Sequence, residues 1–183
     1  MDPIDIIGRY YRKGTDLYTT LVDHSRQVAD KSLAIARSVP HLNPDLAFIE
    51  AAAMLHDIGI FKTRAQAIGC EGKRPYICHG FLGREILDAE GLPEAYGLVA
   101  ERHTGAGITL ENIRKAGLPL PERDMVPLTI EEKIICCADK YFSKSPKNRD
   151  KVMTRDRIID ELARINTGHA RRFSRWAEVL NLD

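Results

Sequence analysis

The stretch Leu46–Gly59, LAFIEAAAMLHDIG, decides the fold. It follows Asn43-Pro44-Asp45, a cap-and-proline start for a helix. Within it Ile49, Ala52 and His56 recur at intervals of three and four, the period of one helix face, and Gly59 is expected to close the helix. The decisive feature is polar. His56 lies on the apolar stripe and Asp57 follows it at the helix end. Polar groups carried into an apolar interior must find partners there.

The same punctuation extends in both directions. Asp2-Pro3 starts a short helix that Gly14 ends, and Thr15 or Asp16 opens a long one. Leu17, Leu21, His24, Val28 and Ile35 share a stripe on that long helix. After a loop over residues 60–78, HGFLGREILDAEG predicts a helix from His79 to Gly91, and PEAYGLVAERH another from Pro93. His103 follows Tyr96 and Val99 at helical spacing. Residues 104–128, with Gly105, Gly107, Gly117, Pro119, Pro121 and Pro127, read as an irregular segment holding a short helix near 110–116. Thr129-Ile-Glu-Glu132 reads as a capping box before IICCADKYF, and two closing helices follow at 154–166 and 168–182. Period-two runs of β-branched residues are absent. The expected architecture is all-α, with no sheet.

Composition fits this reading. The chain has 183 residues, 44% hydrophobic and 29% charged, enough for one domain with a sizeable core that needs no disulfides. Lys+Arg 27 against Asp+Glu 26 argues against a dedicated nucleic-acid binder, and RRFSRW at 171–176 reads as a solvated helix face. No run approaches the ~20 apolar residues of a membrane span, and MDPIDIIGRYYRKG has no signal-peptide pattern. Cys136 and Cys137 are adjacent, and Cys70 and Cys78 match no zinc-ribbon spacing. All four are expected to be reduced thiols in a cytoplasmic protein.

Chemistry is expected where several polar residues enter one helical core. His24, His56 and His103 fall on apolar faces, and Asp139 lies inside the apolar run IICCADKYF. A carboxylate there needs a salt bridge, to Lys133 or Lys140, or a metal ion. Histidine nitrogen with carboxylate oxygen suits divalent first-row metals.

His24, the pair His56-Asp57 and Asp139 resemble the H…HD…D signature of the HD-domain metal-dependent phosphohydrolase superfamily, in its HDIG wording. The resemblance runs from His24 to Asp139. His79 and His103 resemble the two extra histidines of the binuclear branches. It implies one HD domain over residues 1–183, a bundle of about seven to eight helices with a metal-binding core at about 15–143 and closing helices at 154–182. It further implies two divalent ions, drawn from iron, manganese, magnesium or nickel. His24, His56, Asp57 and Asp139 would hold one, and Asp57, His79 and His103 the other, with Asp57 bridging. The implied activity is cleavage of a phosphate ester or anhydride of a small nucleotide-like substrate by metal-bound hydroxide. CHGFLG and HTGAG resemble parts of the small dinucleoside-polyphosphate hydrolases of the superfamily.

Asp57, Lys62 and Lys140 are the expected catalytic residues, and Arg102, Thr104 and Gly105 the expected substrate contacts. The loops at 60–78 and 104–128 are expected to select substrate, and His41 and His169 to lie on the surface. A homodimer is compatible with this reading. Two departures bear on the substrate. Ile60 and Phe61 separate the HDIG motif from Lys62, and Thr104-Gly105-Ala106-Gly107 lacks the second histidine and the Gly-Tyr-Pro of the cyclic-di-GMP phosphodiesterases. Mixed-valence di-iron oxygenases of the superfamily share the ligand order, and a non-catalytic ligand-binding module is a third reading.

Overall fold

The structure, a computed structural model, describes residues 1–149 and 151–182. Among them are nine α-helices: α1 Pro3–Tyr10, α2 Asp16–Ser38, α3 Leu46–Leu55, α4 His79–Ala89, α5 Glu94–Arg102, α6 Leu110–Ala116, α7 Ile130–Asp139, α8 Arg155–Ile165 and α9 Thr167–Val179. Side-chain caps set most of the starts. Asp2, Thr15, Asp45, Thr109, Thr129, Thr154 and Asn166 each accept a backbone N–H of the first turn. Thr129 makes only half of the expected box. The Glu132 carboxylate bonds Leu128 N and Arg102 instead, and the complete box is Thr109–Asn112 on α6.

α3 sits at the centre. Its sequence is apolar on nearly every side, as befits a surrounded helix, and it packs against α1, α2, α5 and α7. Ala52 and Ala53 are buried without bulk, which lets neighbours approach closely. α4 pairs with α5, α2 with α7, and α9 lies on both α8 and α7. A smaller apolar cluster of Cys78, Phe81, Leu82, Ile108, Ile113, Leu120 and Met125 supports the 104–128 segment. A bridge between Ile108 and Met125 fastens that segment, with N–H···O distances of 2.8 Å in both directions.

The expectation of no sheet is corrected. Three short strands, β1 Thr63–Ala65, β2 Cys70–Glu71 and β3 Arg74–Pro75, form a sheet in the order β2-β1-β3, antiparallel to β2 and parallel to β3. Strands of two or three residues are too short to show a period of two. Gly72 makes the sheet's return. Its N–H bonds Thr63 O at 2.8 Å, and a Cβ there would strike the Lys62–Thr63 backbone.

His169 is the second correction. It is buried, and its Nδ1 accepts the Ala106 N–H at 3.1 Å. His41 is exposed, as expected. The four cysteines are free and buried. No helix among the described residues is long and apolar enough to cross a membrane.

Candidate metal centre

The bundle brings six predicted side chains together. His24 comes from the middle of α2, while the other five stand at helix ends. His56 is the C-cap of α3, with Asp57 next to it; His79 opens α4, His103 caps α5 and Asp139 ends α7. Helix ends leave carbonyls without intrahelical partners, and here the histidines take them. His56 Nδ1 donates to Ala53 O (2.6 Å), His103 Nδ1 to Ala100 O (2.7 Å) and His79 Nδ1 to Tyr76 O (2.7 Å), each three residues back. In the neutral rings these bonds assign the Nδ1–H tautomer and leave each Nε2 with a lone pair.

Those lone pairs converge on Asp57, which is fully buried. Its Oδ2 lies 3.3 Å from His24 Nε2 and 3.1 Å from His56 Nε2, while its Oδ1 lies 3.4 Å from both His79 Nε2 and His103 Nε2. Asp139 Oδ1 closes the first group, 3.0 Å from His24 Nε2 and 3.5 Å from His56 Nε2. The result is two donor sets, His24–His56–Asp57–Asp139 and Asp57–His79–His103, with donor atoms within 4.8 Å of one another in each.

The donors fit divalent metal ions. His79 Nε2 and His103 Nε2 face each other at 3.0 Å although both Nδ1 hydrogens are committed elsewhere, so the neutral rings oppose two lone pairs. His56 Nε2 and Asp57 Oδ1 are buried without a hydrogen-bond partner, while Asp57 Oδ2 faces Lys144 Nζ at 2.6 Å. Buried acceptors that outnumber the donors beside them call for cations, and the nitrogen–oxygen chemistry suits first-row divalent ions.

In the protein alone, protons and lysines hold this charge. Burial works against the Asp57 carboxylate, but Lys144 and then His56 outweigh it and hold the carboxyl well below its usual range. Lys144 Nζ is 2.6 Å from Asp57 Oδ2. Lys140 Nζ is 2.5 Å from Asp139 Oδ2, and it and Lys144 keep that carboxyl low against the cost of burial. Burial also opposes a charged His56, yet Asp57 and Asp139 raise it to about 9. Burial pushes His79 down to about 3, and His103 down as well, so those two rings stay neutral.

Among the described residues, the lysines within 4.0 Å of these carboxylates are Lys140, which the sequence singled out, and Lys144, which it did not. Lys62 lies on the 3₁₀ turn Ile60–Lys62 leading into β1. Arg102 is committed to Glu132, with Nη1 at 2.9 and 3.0 Å from its two oxygens, and so pins α5 to α7. Thr104 Oγ1 lies 3.5 Å from His79 Nε2.

Two aromatic residues support the site without any motif to announce them. Tyr11 donates its hydroxyl to Ile58 O at 2.7 Å and accepts Phe61 N–H, holding the turn after Asp57. Tyr76 stacks on the His79 ring at 4.6 Å.

Gly59, read from the sequence as a helix stop, acts differently. α3 already ends at Leu55, and Gly59 has an ordinary φ of −82°. A Cβ there would run into the backbone of His79 and Gly83, so the glycine lets the His56-Asp57 turn press against α4. A cleft of about 400 Å³ opens beside the centre, lined by Asp139, Lys140, Lys144, Tyr76 and Phe142 among others.

A helical bundle with two histidine–carboxylate sets sharing one aspartate defines a class. The chain belongs to the HD-domain family, whose model matches residues 21–143. Its fold is that of the Listeria monocytogenes phosphodiesterase PgpH HD domain, at TM-scores of 0.52 for one structure and 0.54 for its complex with cyclic-di-AMP. Identity to both is 16%, with 98–99% of this chain and 97% of theirs covered.

Other relatives are nearer in sequence. Over 150 residues, 82% of this chain, it is 35% identical to a tRNA (cytidine(56)-2'-O)-methyltransferase of Thermoplasma volcanium. Over 141 residues, 77% of the chain, it is 34% identical to the protein of the same name from Picrophilus torridus. An uncharacterized Methanocaldococcus jannaschii protein is 36% identical over 124 residues, 67% of this chain and 66% of that one. The chain spans 38% and 35% of the lengths of the two methyltransferases.

Proposed function

We propose that this HD domain is a phosphohydrolase that cleaves a phosphate ester or anhydride of a small nucleotide-like substrate with two divalent ions. The observation that carries the reading is the Asp57 carboxylate, one oxygen facing His24 and His56 and the other facing His79 and His103. That placement suits a bridging ligand. His24, His56, Asp57 and Asp139 would hold one ion, and Asp57, His79 and His103 the other. When bound, such ions supply an acidified water and charge stabilisation for in-line phosphoryl displacement.

The chain's own residues do the rest. The carbonyl anchors on His56, His79 and His103 orient the imidazoles in advance. Lys140 and Lys144 place two ammonium groups at the cleft beside Asp139, where they neutralise and position a substrate phosphate.

The test is metal analysis of the purified protein, followed by phosphate release from nucleotides, dinucleoside polyphosphates and sugar phosphates. Two equivalents of a redox-inert divalent ion with turnover of one substrate class are expected. Oxygen consumption by iron-loaded protein, without phosphate release, would replace the reading with oxygenase chemistry.

The names of the two methyltransferase relatives favour a second reading, in which the phosphate belongs to RNA. Tight tRNA binding whose affinity falls steeply with salt would support it.

A further inference from the structure

A second cavity, of about 570 Å³, adjoins the His79–His103 half of the centre and has no part in holding the donors. Its size is that of a small-molecule site. Thr104 joins the two, since it lines the cavity while its Oγ1 lies 3.5 Å from His79 Nε2. The walls are apolar: Ile77 on the approach to α4, Ile108 and Leu118 from the 104–128 segment, and Ile165 from the end of α8. Ile165 is 73% exposed. Single exposed apolar residues are ordinary, but this one continues a wall.

The polar groups on this cavity all offer hydrogen. Asn112 Oδ1 accepts Thr109 N–H at 3.2 Å and Asn166 Oδ1 accepts Gly168 N–H at 2.7 Å, so each amide keeps its NH₂ free. His169 Nδ1 accepts the Ala106 N–H, which puts the ring hydrogen on Nε2. Gly105, at φ +63°, is what allows that ring so close, because a Cβ would collide with it. Lys115 adds a cation at the rim. Apolar walls edged by several donors match a flat heterocycle whose edge carries acceptors, as every nucleobase does.

We infer that this cavity is the nucleoside subsite of the substrate, with its phosphate directed past Thr104 to the centre and its base read by Asn112, Asn166 and His169. The inference rests on the phosphohydrolase reading for the phosphate, but not for the binding of the base. Selectivity among substrates would then be set by α6 and the α8–α9 junction rather than by the metal ligands.

The probes are adenosine, guanosine, cytidine and uridine, observed by saturation-transfer NMR with the full chain, since they carry no phosphate to hydrolyse. Ala116→Trp fills the cavity from an exposed position, and Ile165→Asp charges its wall without touching the core. Both variants should weaken binding of at least one nucleoside tenfold or more. They should lower kcat/KM for the matching 5'-monophosphate tenfold or more, while turnover of glycerol phosphate changes less than twofold.

Nucleoside binding unchanged in both folded variants would overturn the subsite. So would glycerol phosphate hydrolysis by a wild-type protein that binds no nucleoside, and that result would leave the phosphohydrolase reading standing. Nucleoside binding lost in the variants, with no phosphate released from any ester, would support the subsite and remove the hydrolase reading instead.

Discussion

Metal binding at this centre should be strongly dependent on pH, with His56 responsible. In the protein alone, Asp57 and Asp139 raise that imidazole to about 9, so at neutral pH it carries a proton on the nitrogen a metal ion would need. His79, at about 3, and His103, also lowered, present neutral nitrogens and contribute no such competition. One proton must therefore leave for each ion bound at the first set. Apparent affinity for Mn²⁺ should rise about tenfold per pH unit, or about a hundredfold between pH 6.5 and 8.5, and level off above about 9.

The same proton acts oppositely on the metal-free fold. A raised histidine contributes stability that is complete below its unfolded value of 6.5 and is lost as pH climbs to about 9. Over those two pH units the loss is on the order of 2 to 3 kcal/mol. For 183 residues that corresponds to roughly 7 °C in Tm. The gap in Tm between Mn²⁺-saturated and chelator-treated protein should thus widen by several degrees from pH 6.5 to 8.5. Calorimetry in buffers of different ionisation enthalpy should count about one proton released at pH 7.5. Asp57→Asn should abolish the Mn²⁺-dependent shift altogether. Affinity that is flat across this range, or a shift that survives in Asp57→Asn, would refute the argument.

Other outcomes follow from individual contacts. His79→Asn should reduce bound metal from two equivalents to one by elemental analysis and cut phosphatase activity at least a hundredfold, with the helical circular dichroism signal retained. Lys144→Met should raise KM for the phosphorylated substrate about tenfold while metal content stays at the wild-type level, as steady-state kinetics and elemental analysis would show. Glu101, buried against Arg84 and Arg123, clamps α4 and the 118–128 stretch to α5. Glu101→Ala should cost only about 1 kcal/mol in urea denaturation, because Arg84 keeps Asp88 and Glu94 and Arg123 turns to solvent. Burial lowers His169 to about 4, so its contribution to stability disappears as pH falls from 6.5 towards 4. That loss is at most about 3 kcal/mol, and His169→Gln should flatten this part of the acid limb.

The helices were legible because their caps and periods are local. Thr15, Asp45 and Thr129 announce their starts by residue type alone, and all three accept the first-turn N–H expected of them. The six donors were legible because a buried histidine or aspartate on an apolar stripe needs an explanation, and HDIG supplied one. What escaped has no such signature. Lys144 lies five residues beyond Asp139, past the end of α7, where helical spacing no longer says where a side chain goes. Tyr11 and Tyr76 reach the site across long sequence separations, which no period encodes. His169 looked like one more polar residue in HARR, and only the fold shows the Ala106 amide it satisfies. Gly59 was placed correctly and explained wrongly, because a close approach between chain segments leaves the same letter as a helix stop.

The carbonyl anchors on His56, His79 and His103 carry one more implication. Three rings are aimed by their own backbone turns, so the cage is shaped before any ion arrives. Such a scaffold asks little of its guest beyond charge and size. Exchange of one first-row ion for another should leave the surrounding polypeptide almost undisturbed, and cellular supply, more than the protein's geometry, would then govern which element resides there.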